Sequence, residues 1–378
     1  MGILRTNTLS GIGTDGPVFD GITRLDTQGY FVPPVGVTSD RTAAGITTSQ
    51  GAIRFNTDSQ KLEFYAQDQW WEMVIDTPNL GRGADTGAGA RGMFVGGTGS
   101  DVIDYVNIAS TGNATDFGNL TKARQESGGF SNTTRGIVAG DSVPASDNTI
   151  DFWTIPSTGN AQDFGDLTQA TNSQGFGGFA NQTRGVFTGG YNVPGGRQDV
   201  MQYVTILSQG NTVDFGNLSA ATSGPGAGIA SPTRGFRHGG SSPTNSNTIE
   251  YVTIATLGNM QDFGDLLSVD GSKSGASNAT RGLSFHSVVN DATIEYITMA
   301  STGNAQDFGD LSTSNHYSPS SGSSPTRAVN GGGGYPSTTD VIDYVQIMTT
   351  GNSVDFGNLT VARSLMMVGC FSNAHGGL

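Results

Sequence analysis

The sequence predicts an all-β protein whose larger part is a kelch-like, six-bladed β-propeller with four-stranded blades. Three observations predict this fold: an internal repeat, a pattern of four short strands in every repeat, and one strand that is apolar on both faces. Gly accounts for 58 of the 378 residues and charged residues for 13%. Because each interior Gly weakens a helix, this composition favours strands and turns.

The repeat is marked by the tripeptide Asp-Phe-Gly, which recurs six times at intervals of 45 to 51 residues. Its Asp-Phe pairs are Asp116-Phe117, Asp163-Phe164, Asp214-Phe215, Asp262-Phe263, Asp307-Phe308 and Asp355-Phe356. A motif of the type Ile249-Glu250-Tyr251 and a series of Arg residues keep the same step. The Arg residues are Arg91, Arg135, Arg184, Arg234, Arg281 and Arg327. Three markers in step define residues 91–378 as a six-repeat domain.

Each repeat contains four short segments rich in strand-forming residues and separated by Gly, Asn and Ser. We call them, in chain order, the Arg strand, the Tyr strand, the Asp-Phe-Gly strand and the Gly/Ser strand. The Tyr strand at 248–254 is apolar on both faces, whereas a sheet with one wet face alternates apolar and polar residues. Blades packed on both sides account for this pattern, and six repeats can close a ring without an exposed edge. A linear solenoid is the alternative, although its terminal repeats are usually polar caps.

The chain before residue 91 lacks the repeat and divides into three parts. Residues 1–50 predict an extended attachment arm, and residues 76–90 predict a flexible linker. Residues 51–75 predict a small β-hairpin module. The predicted strands of this module are 52–56, 61–65 and 70–75. Because so small a module is marginal alone, we expect it to trimerise or to dock on a larger particle, with Trp70 and Trp71 as anchors.

Composition argues against several classes of protein. The formal net charge is −14, and the 18 Lys and Arg residues do not cluster, so no nucleic-acid partner is expected. No apolar run reaches the length of about 20 residues that a membrane helix needs, so membrane insertion is not expected. Four scattered His residues predict no metal site, and we expect no cofactor. The single Cys370 predicts a buried, small apolar side chain.

The repeated motifs favour structural roles. Asp-Phe-Gly invites a comparison with the Mg²⁺-binding motif of kinases, but six periodic copies favour a Phe that fills the gap between blades. The Arg series predicts guanidinium groups that bond to carbonyl groups or stack on aromatic rings at blade junctions. A ring of positive charge that binds an anion is the alternative.

Paired acids leave two further alternatives. The pairs are Asp163/Asp166, Asp262/Asp265 and Asp307/Asp310, which suit either turn capping or Ca²⁺ binding. Two carboxylates are also what glycoside hydrolysis requires. A catalytic pair should break the repeat, and no acid clearly does, so we expect no catalytic residues.

The segments that do not repeat are the loops between the Arg strand and the Tyr strand. They are residues 97–100, 141–148, 191–199, 241–247, 287–292 and 331–339. In repeat scaffolds such insertions map to one face, often the binding face, and drift of unconstrained loops is the alternative. Tyr191, Asn192, Arg197 and Tyr335 are the candidate ligand contacts, because Tyr and Asn suit adaptable polar recognition.

Two stretches carry a resemblance to known proteins. The segment GAIRFNTDSQKLEFYAQDQWWEM resembles a short module of tail-fibre and other virion proteins of tailed bacteriophages. The TGNAxDFGDLT-type repeat of residues 91–378 is similar to that of virion structural proteins of marine phages. The resemblance implies a particle-attached N-terminus, an outward-facing C-terminal domain, and a virion location after assembly in the host cytoplasm.

We therefore expect a virion structural protein that is not an enzyme. Other virion proteins would hold it through residues 1–81, and it would act as a tail-fibre or receptor-binding protein for a host-surface glycan or protein. The alternative is a capsid-surface decoration or cement protein without a specific receptor, and a glycan-cleaving enzyme is a minor alternative. A homo-oligomer, with a trimer as the first guess, is the expected assembly.

Overall fold

The computed structural model shows a chain built from β-strands, and the expectation of an all-β fold is confirmed. It describes residues 33–42, 48, 50–59, 61–72, 90–125, 127–141, 147–171, 177–192, 195–223, 227–240, 244–270, 273–286, 291–314, 318–334, 337–366 and 369–378. Within these ranges the only helical element is the 3₁₀ turn Thr38–Thr42, and no helix could cross a membrane. The chain divides into two units, Met1–Pro78 and Asn79–Leu378.

The N-terminal unit contains one four-stranded sheet. Its strands, in sheet order, are β1 (Val35–Gly36), β2 (Ile53–Asn56), β3 (Lys61–Ala66) and β4 (Gln69–Glu72). Strand β1 pairs with β2 in parallel, and the other pairs are antiparallel. The three strands expected in 51–75 are present, although 73–75 lie outside the described residues. Strand β1 comes from the expected extended arm, so part of that arm belongs to the sheet of the module.

The interior of this unit is polar. Glu63 is fully buried, and its carboxylate accepts hydrogen bonds from Arg41 Nε at 3.2 Å and from Asn56 Nδ2 at 2.7 Å. The bond from Arg41 lowers the pKa of Glu63 and outweighs the opposing effect of burial. Of the two expected anchors, Trp70 is half-buried beside Tyr65, whereas Trp71 is 44% exposed.

The C-terminal unit contains six sheets in chain order. Sheet 1 has β5 (Arg91–Val95), β6 (Val102–Asn107) and β7 (Thr115–Asn119). Sheet 2 has β8 (Gly128–Ser131), β9 (Arg135–Ala139), β10 (Asp147–Thr154) and β11 (Gln162–Thr171). Sheet 3 has β12 (Gly177–Ala180), β13 (Arg184–Thr188), β14 (Tyr191–Asn192), β15 (Gly196–Thr205) and β16 (Val213–Thr222).

The remaining three sheets have four strands each. Sheet 4 has β17 (Ala227–Ala230), β18 (Arg234–His238), β19 (Ser246–Thr253) and β20 (Gln261–Asp270). Sheet 5 has β21 (Lys273–Ser277), β22 (Arg281–His286), β23 (Thr293–Thr298) and β24 (Gln306–Asp310). Sheet 6 has β25 (Ser320–Ser323), β26 (Arg327–Gly331), β27 (Thr339–Gln346) and β28 (Val354–Arg363).

All strand pairs in these sheets are antiparallel, and the sheets are offset by one strand from the sequence repeats. Each Gly/Ser strand pairs with the Arg strand that follows it, as Phe130 pairs with Ile137. Sheet 1 therefore begins with its Arg strand. Residues near the C-terminus occupy the place beside it: Gly92 forms an antiparallel bridge with Ser372, and Met93 N donates to Phe371 O at 2.9 Å.

Neighbouring sheets are joined by the same contacts at every junction. A polar side chain in the Tyr strand accepts a hydrogen bond from a backbone N–H in or just after the Asp-Phe-Gly strand of the preceding sheet. These donor–acceptor pairs are Thr121–Asp151, Thr168–Gln202, Ser219–Glu250, Leu267–Glu295, Ser312–Asp343 and Thr360–Asp104, at 2.8 to 3.2 Å. The last pair joins sheet 6 to sheet 1, so every sheet has a neighbour on both sides.

A second junction contact involves the Gly-Asn turn between the Tyr and Asp-Phe-Gly strands. The side-chain oxygen of each turn Asn accepts a backbone N–H of the preceding sheet, as Asn211 Oδ1 does from Asp166 at 3.0 Å. The approach requires Gly in Asp-Phe-Gly: Gly165 has φ of +147°, and an added Cβ would lie 2.5 Å from the Gly210 carbonyl. The same contact joins Asn358 of sheet 6 to Asn113 of sheet 1 at 3.1 Å.

The apolar core lies between the sheets. Each of six buried clusters combines the Phe and Leu of one Asp-Phe-Gly strand with apolar residues of the next sheet. Phe164 and Leu167 of sheet 2, for example, pack with Val204 and Ile206 of sheet 3. The six Phe residues are 1–3% exposed.

The alternating strand directions give the unit two ends. The turns between the Tyr and Asp-Phe-Gly strands, and those between the Gly/Ser and Arg strands, lie at one end, which we call the turn end. The variable loops lie at the other, which we call the loop end. Ala90 directly precedes an Arg strand and accepts a hydrogen bond from Ile108 N at 2.9 Å, so the chain enters at the turn end.

The last residues of the chain lie at the turn end against several sheets. Cys370 forms a parallel bridge with Ser321 of sheet 6. His375 Nε2 donates to the carbonyl of Ser131 in sheet 2 at 2.6 Å, and Gly376 N donates to that of Ser277 in sheet 5 at 2.8 Å. The C-terminal segment therefore connects sheets that are distant in sequence.

Truncation of a side chain in this segment should destabilise the whole unit. Phe371 is fully buried and packs against Trp153 with a centroid distance of 5.9 Å. We expect Phe371→Ala to lower the free energy of unfolding by about 3–5 kcal/mol, the usual cost for a buried Phe, when measured by urea titration. Leu378→Ala, at a half-buried terminal position, is the control and should cost much less. A loss below about 1 kcal/mol for Phe371→Ala would contradict this packing.

The same segment should make stability depend on pH. His375 is neutral in the fold, because Nε2 donates to Ser131 while Nδ1 accepts from Gly377 N at 3.1 Å, and burial lowers its pKa to about 4. Since the unfolded chain binds this proton near pH 6.5, stability should fall as pH drops from about 6.5 towards 4, by about 2 kcal/mol at pH 5.

The variant His375→Gln should lose this part of the pH dependence in urea titrations at pH 7.5 and pH 5. His238 adds a loss of the same sign, because burial lowers its pKa also, and that part should persist in the variant. An equal pH dependence in wild type and variant would contradict the assignment to His375.

Candidate functional site

Three of the four candidate contacts named from the sequence lie at the loop end, where their loop forms a hairpin. Tyr191 and Asn192 form β14, which pairs with β15 through Tyr191–Arg197 and Asn192–Gly196. Tyr191 and Asn192 are half-buried and Arg197 is exposed. Tyr335 lies outside the described residues.

This hairpin is fixed at its base by backbone hydrogen bonds. Gln198 N donates to Gly190 O at 2.9 Å, and Gly190 N donates to Thr222 O of the adjacent strand at 3.1 Å. Asn192 Nδ2 lies 3.5 Å from Gln169 Oε1 of sheet 2, so the hairpin reaches towards the neighbouring sheet. The structure therefore brings together three of the four expected contacts on paired strands.

The hairpin and its neighbour present an amide-rich, mostly uncharged set of groups. Asn192, Gln169 and Gln198 supply amide donors and acceptors, Tyr191 supplies an aromatic ring and a hydroxyl, and Arg197 supplies a guanidinium group. Sites that fix a polar ligand combine a few placed donors and acceptors with aromatic surface. This set suits hydroxyl-rich ligands better than strongly charged ones.

Buried charged residues fix the base of the variable loop 141–148 in sheet 2. Arg124 is fully buried, and its Nη2 lies 2.9 Å from Asp151 Oδ1, while its Nη1 donates to Gly140 O at 2.9 Å. Lys122 forms an ion pair with Asp147 at the start of the Tyr strand. Burial opposes ionisation of Asp147, but hydrogen bonds from Lys122 and Thr149 outweigh it and lower the pKa to about 2.

A buried Arg–Asp pair like Arg124–Asp151, which joins sheets 1 and 2, also joins sheets 6 and 1. Arg363 Nη2 lies 2.7 Å from Asp104 Oδ2, and Arg363 Nη1 donates to Val102 O at 2.8 Å. Burial raises the pKa of Asp104 and outweighs the attraction of Arg363.

Sheet 5 contains a buried charged cluster that sequence reasoning missed. Lys273, His286 and Glu295 are fully buried, with His286 Nε2 2.5 Å from both Lys273 Nζ and Glu295 Oε1. His286 Nδ1 lies 2.9 Å from Asp291 Oδ2, so the residue before the variable loop 287–292 contacts a residue within that loop. The cluster has no solvent-exposed atoms at its centre, so its geometry suits fixing the loop base. One signal was present in the sequence, because Lys273 stands in an otherwise Gly- and Ser-rich strand.

The repeated Arg residues lie at the turn end, and each makes two contacts. The guanidinium group stacks on the aromatic ring of its own Tyr strand, as Arg184 does on Tyr203 at 4.5 Å. Its Nη1 donates to a carbonyl of the next sheet. These pairs are Arg91–Ile155, Arg135–Ile206, Arg184–Ile254, Arg234–Met299, Arg281–Ile347 and Arg327–Ile108, at 2.6 to 3.3 Å.

The repeated Asp residues of Asp-Phe-Gly are exposed near the turn end. The backbone N–H groups at this position are capped by the side chains of the turn Asn residues. Three of these N–H groups belong to the second acids of the predicted pairs, Asp166, Asp265 and Asp310. In the described ranges no group of three or more His, Cys, Asp or Glu side chains is arranged for a metal ion. Cys370 is buried, which raises its thiol pKa to about 11.

No protein-family model fits the chain, and no curated protein is significantly similar to it. The geometry of the described residues is therefore the basis for a functional proposal.

The buried pair Arg124–Asp151 is replaced by uncharged residues in the next repeat. The residues at the corresponding positions there are Thr171 and Gln202. We expect Arg124→Ala to cost about 3–5 kcal/mol in urea unfolding, because it leaves the carboxylate of Asp151 buried and unpaired. The double variant Arg124→Thr, Asp151→Gln should recover most of this loss. A double variant as unstable as the single one would contradict the explanation.

Proposed function

We propose that the chain is a bacteriophage virion protein that binds a receptor, a host-surface glycan or protein, through the loop end of a six-bladed β-propeller. In this proposal the propeller, residues 91–378, is displayed outward from the virion and carries no catalytic centre. Residues 1–81 attach it to other virion proteins, and Trp71 is an exposed side chain available for that attachment or for trimerisation.

The propeller is supported by the regularity of the junctions. Six sheets of similar order succeed one another, and each makes the same hydrogen bonds to the next. The bonds Thr360–Asp104 and Asn358–Asn113 continue this series from sheet 6 to sheet 1. In a linear stack, the first and last repeats would not contact each other, so bonds between sheets 6 and 1 would not be expected.

The proposed display uses the end of the propeller that is free of the chain entry. Ala90 lies at the turn end, whereas the variable loops lie at the loop end. In this proposal the loop end faces the host. The resemblance of the repeat and of the segment 51–73 to phage virion proteins points to a particle as the holder.

The ligand class is supported by the hairpin at Tyr191 and Asn192. A hairpin fixed by ladder bonds loses little conformational freedom on binding, which favours affinity. Its amide and phenol groups suit the hydroxyl groups of a glycan, and the pairing of β14 with β15 sets the positions of Tyr191, Asn192 and Arg197 along the two strands.

Competition for adsorption tests this proposal. We expect the purified full chain to bind host cells saturably and to reduce the fraction of phage that adsorbs. The variants Tyr191→Ala and Asn192→Ala should each require at least about tenfold more protein for the same reduction, as expected when a central contact worth about 1.4 kcal/mol is lost.

The matched control is Thr133→Ala in a turn at the opposite end, which should compete like wild type. A folded wild-type chain that neither binds cells nor competes would contradict receptor binding and would favour the decoration or cement role. If all variants compete as well as wild type, the chain still binds a receptor, but the hairpin is not the binding site.

A further inference from the structure

Sheet 5 holds a lysine and a glutamate that meet in the interior of the fold. Lys273 begins β21 and Glu295 lies in β23, and strand β22 runs between these two strands. Both side chains are fully buried, with Lys273 Nζ 3.9 Å from Glu295 Oε1. His286, at the end of β22, has its Nε2 2.5 Å from each of these two atoms. An amine, a carboxylate and an imidazole therefore meet at one point away from water.

Two members of this cluster depart from the sequence repeat. The position of Glu295 is Asp, Glu or Gln in all six Tyr strands, whereas Lys273 is the only Lys in a Gly/Ser strand that the structure describes. The position of His286, five residues after the repeated Arg, is Gly in the other five repeats. These residues are Gly96, Gly140, Gly189, Gly239 and Gly332. Places where a sequence breaks its own structural rule are where a chemical role is expected.

Neutralising a buried carboxylate does not require this combination of residues. Two other junctions solve the same problem with one Arg each. These pairs are Arg124–Asp151 and Arg363–Asp104. An Arg keeps its proton in proteins, whereas a buried Lys loses its proton readily and then becomes a nucleophile. The charge of Lys273 already offsets that of Glu295, so His286 adds a proton carrier to a pair that is complete without it.

We propose that Lys273 and Glu295 condense to an amide bond, a cross-link that the chain forms once within itself. His286 Nε2 takes a proton from the ammonium group of Lys273 and passes it to Oε1 of Glu295. The neutral Nζ then attacks Cδ of Glu295 and forms the N–C bond. A second proton follows the same path from Nζ to Oε1, the C–O bond breaks, and the oxygen leaves as water. The reaction needs no oxidant and no other reactant, and it acts on no external substrate.

The surroundings of the three groups favour each step. Asp291 Oδ2 lies 2.9 Å from His286 Nδ1, so a carboxylate stabilises the imidazolium that forms between the two proton transfers. Burial opposes ionisation of Glu295, but the hydrogen bond from His286 and the charge of Lys273 outweigh it and lower the pKa. Glu295 therefore starts as a carboxylate and needs the proton that His286 delivers. Groups held this close react as if at about 10⁵–10⁸ M, and the dry interior protects the product from hydrolysis.

The cross-link would join β21 to β23 across the strand between them. Closing the segment 273–295 restricts the unfolded chain as a disulfide does, and so stabilises the folded sheet. The chain has a single Cys, so no disulfide within it could take this part. The inference depends only on sheet 5 and stands whether or not the chain is a virion protein.

The test is the mass of the purified full chain, measured by mass spectrometry after denaturation. We expect wild type to be lighter than its sequence by about 18 Da, the mass of the one water released when the covalent bond forms. Tryptic digestion should leave the bond after Lys273 uncut and yield one branched peptide that joins residues 238–281 to residues 282–327. Fragmentation of this peptide should place the branch at Lys273 and Glu295.

Two variants serve as matched controls, each shown to be folded by near-UV circular dichroism. Lys273→Arg keeps the charge but removes the nucleophile, and His286→Gly restores the residue of the other five repeats while leaving the Lys–Glu pair. Both should have the full mass of their sequences. A folded wild-type chain at its full sequence mass, without the branched peptide, overturns the proposal. A loss of water that persists in Lys273→Arg would arise at another residue and overturn it as well. A complete loss of water in His286→Gly would overturn the role given to His286.

Discussion

The C-terminal unit depends on one contact, the hydrogen bond between a polar side chain in the Tyr strand and a backbone N–H of the preceding sheet. Sheets pack here on both faces, so a polar group in the middle of a Tyr strand has no access to water. Asp343, for example, is 1% exposed and accepts from both the N–H and the hydroxyl of Ser312. Since an unpaired buried carboxylate would cost several kcal/mol, this bond fixes how far each sheet slides against the next.

The chemistry of this contact varies along the chain while its position does not. Gln202 is neutral, whereas Asp104 and Asp151 are each paired with an Arg from the preceding repeat. Glu295 instead meets Lys273 and His286 from its own sheet. A buried carboxylate is tolerated when a cationic side chain pairs with it, whether that side chain comes from the preceding repeat or from the same sheet. The repeats could therefore differ in charge at this position while the sheets kept the same register.

The division into two ends follows from the same packing. The Gly-Asn turns at the turn end form junction hydrogen bonds with the preceding sheet. These bonds restrict the length of the turns and require their Gly and Asn residues. Loops at the other end take no part in those bonds and vary freely, as the hairpin of Tyr191 and Asn192 illustrates. Binding residues are expected where length and sequence are least restricted by the scaffold.

The sequence by itself determined the repeat, the strand types and the burial of the Asp-Phe-Gly Phe, because period and strand pattern are local properties. It also indicated both contacts of the Arg series, since a guanidinium group has few ways to be satisfied near carbonyls and rings. Only the tertiary structure decided that Gly/Ser strands belong with the following Arg strand, and that residues near Phe371 lie beside sheet 1. It likewise decided that Lys273, His286 and Glu295 meet. Such contacts join positions with no fixed spacing, and their energy exists only once the sheets have packed.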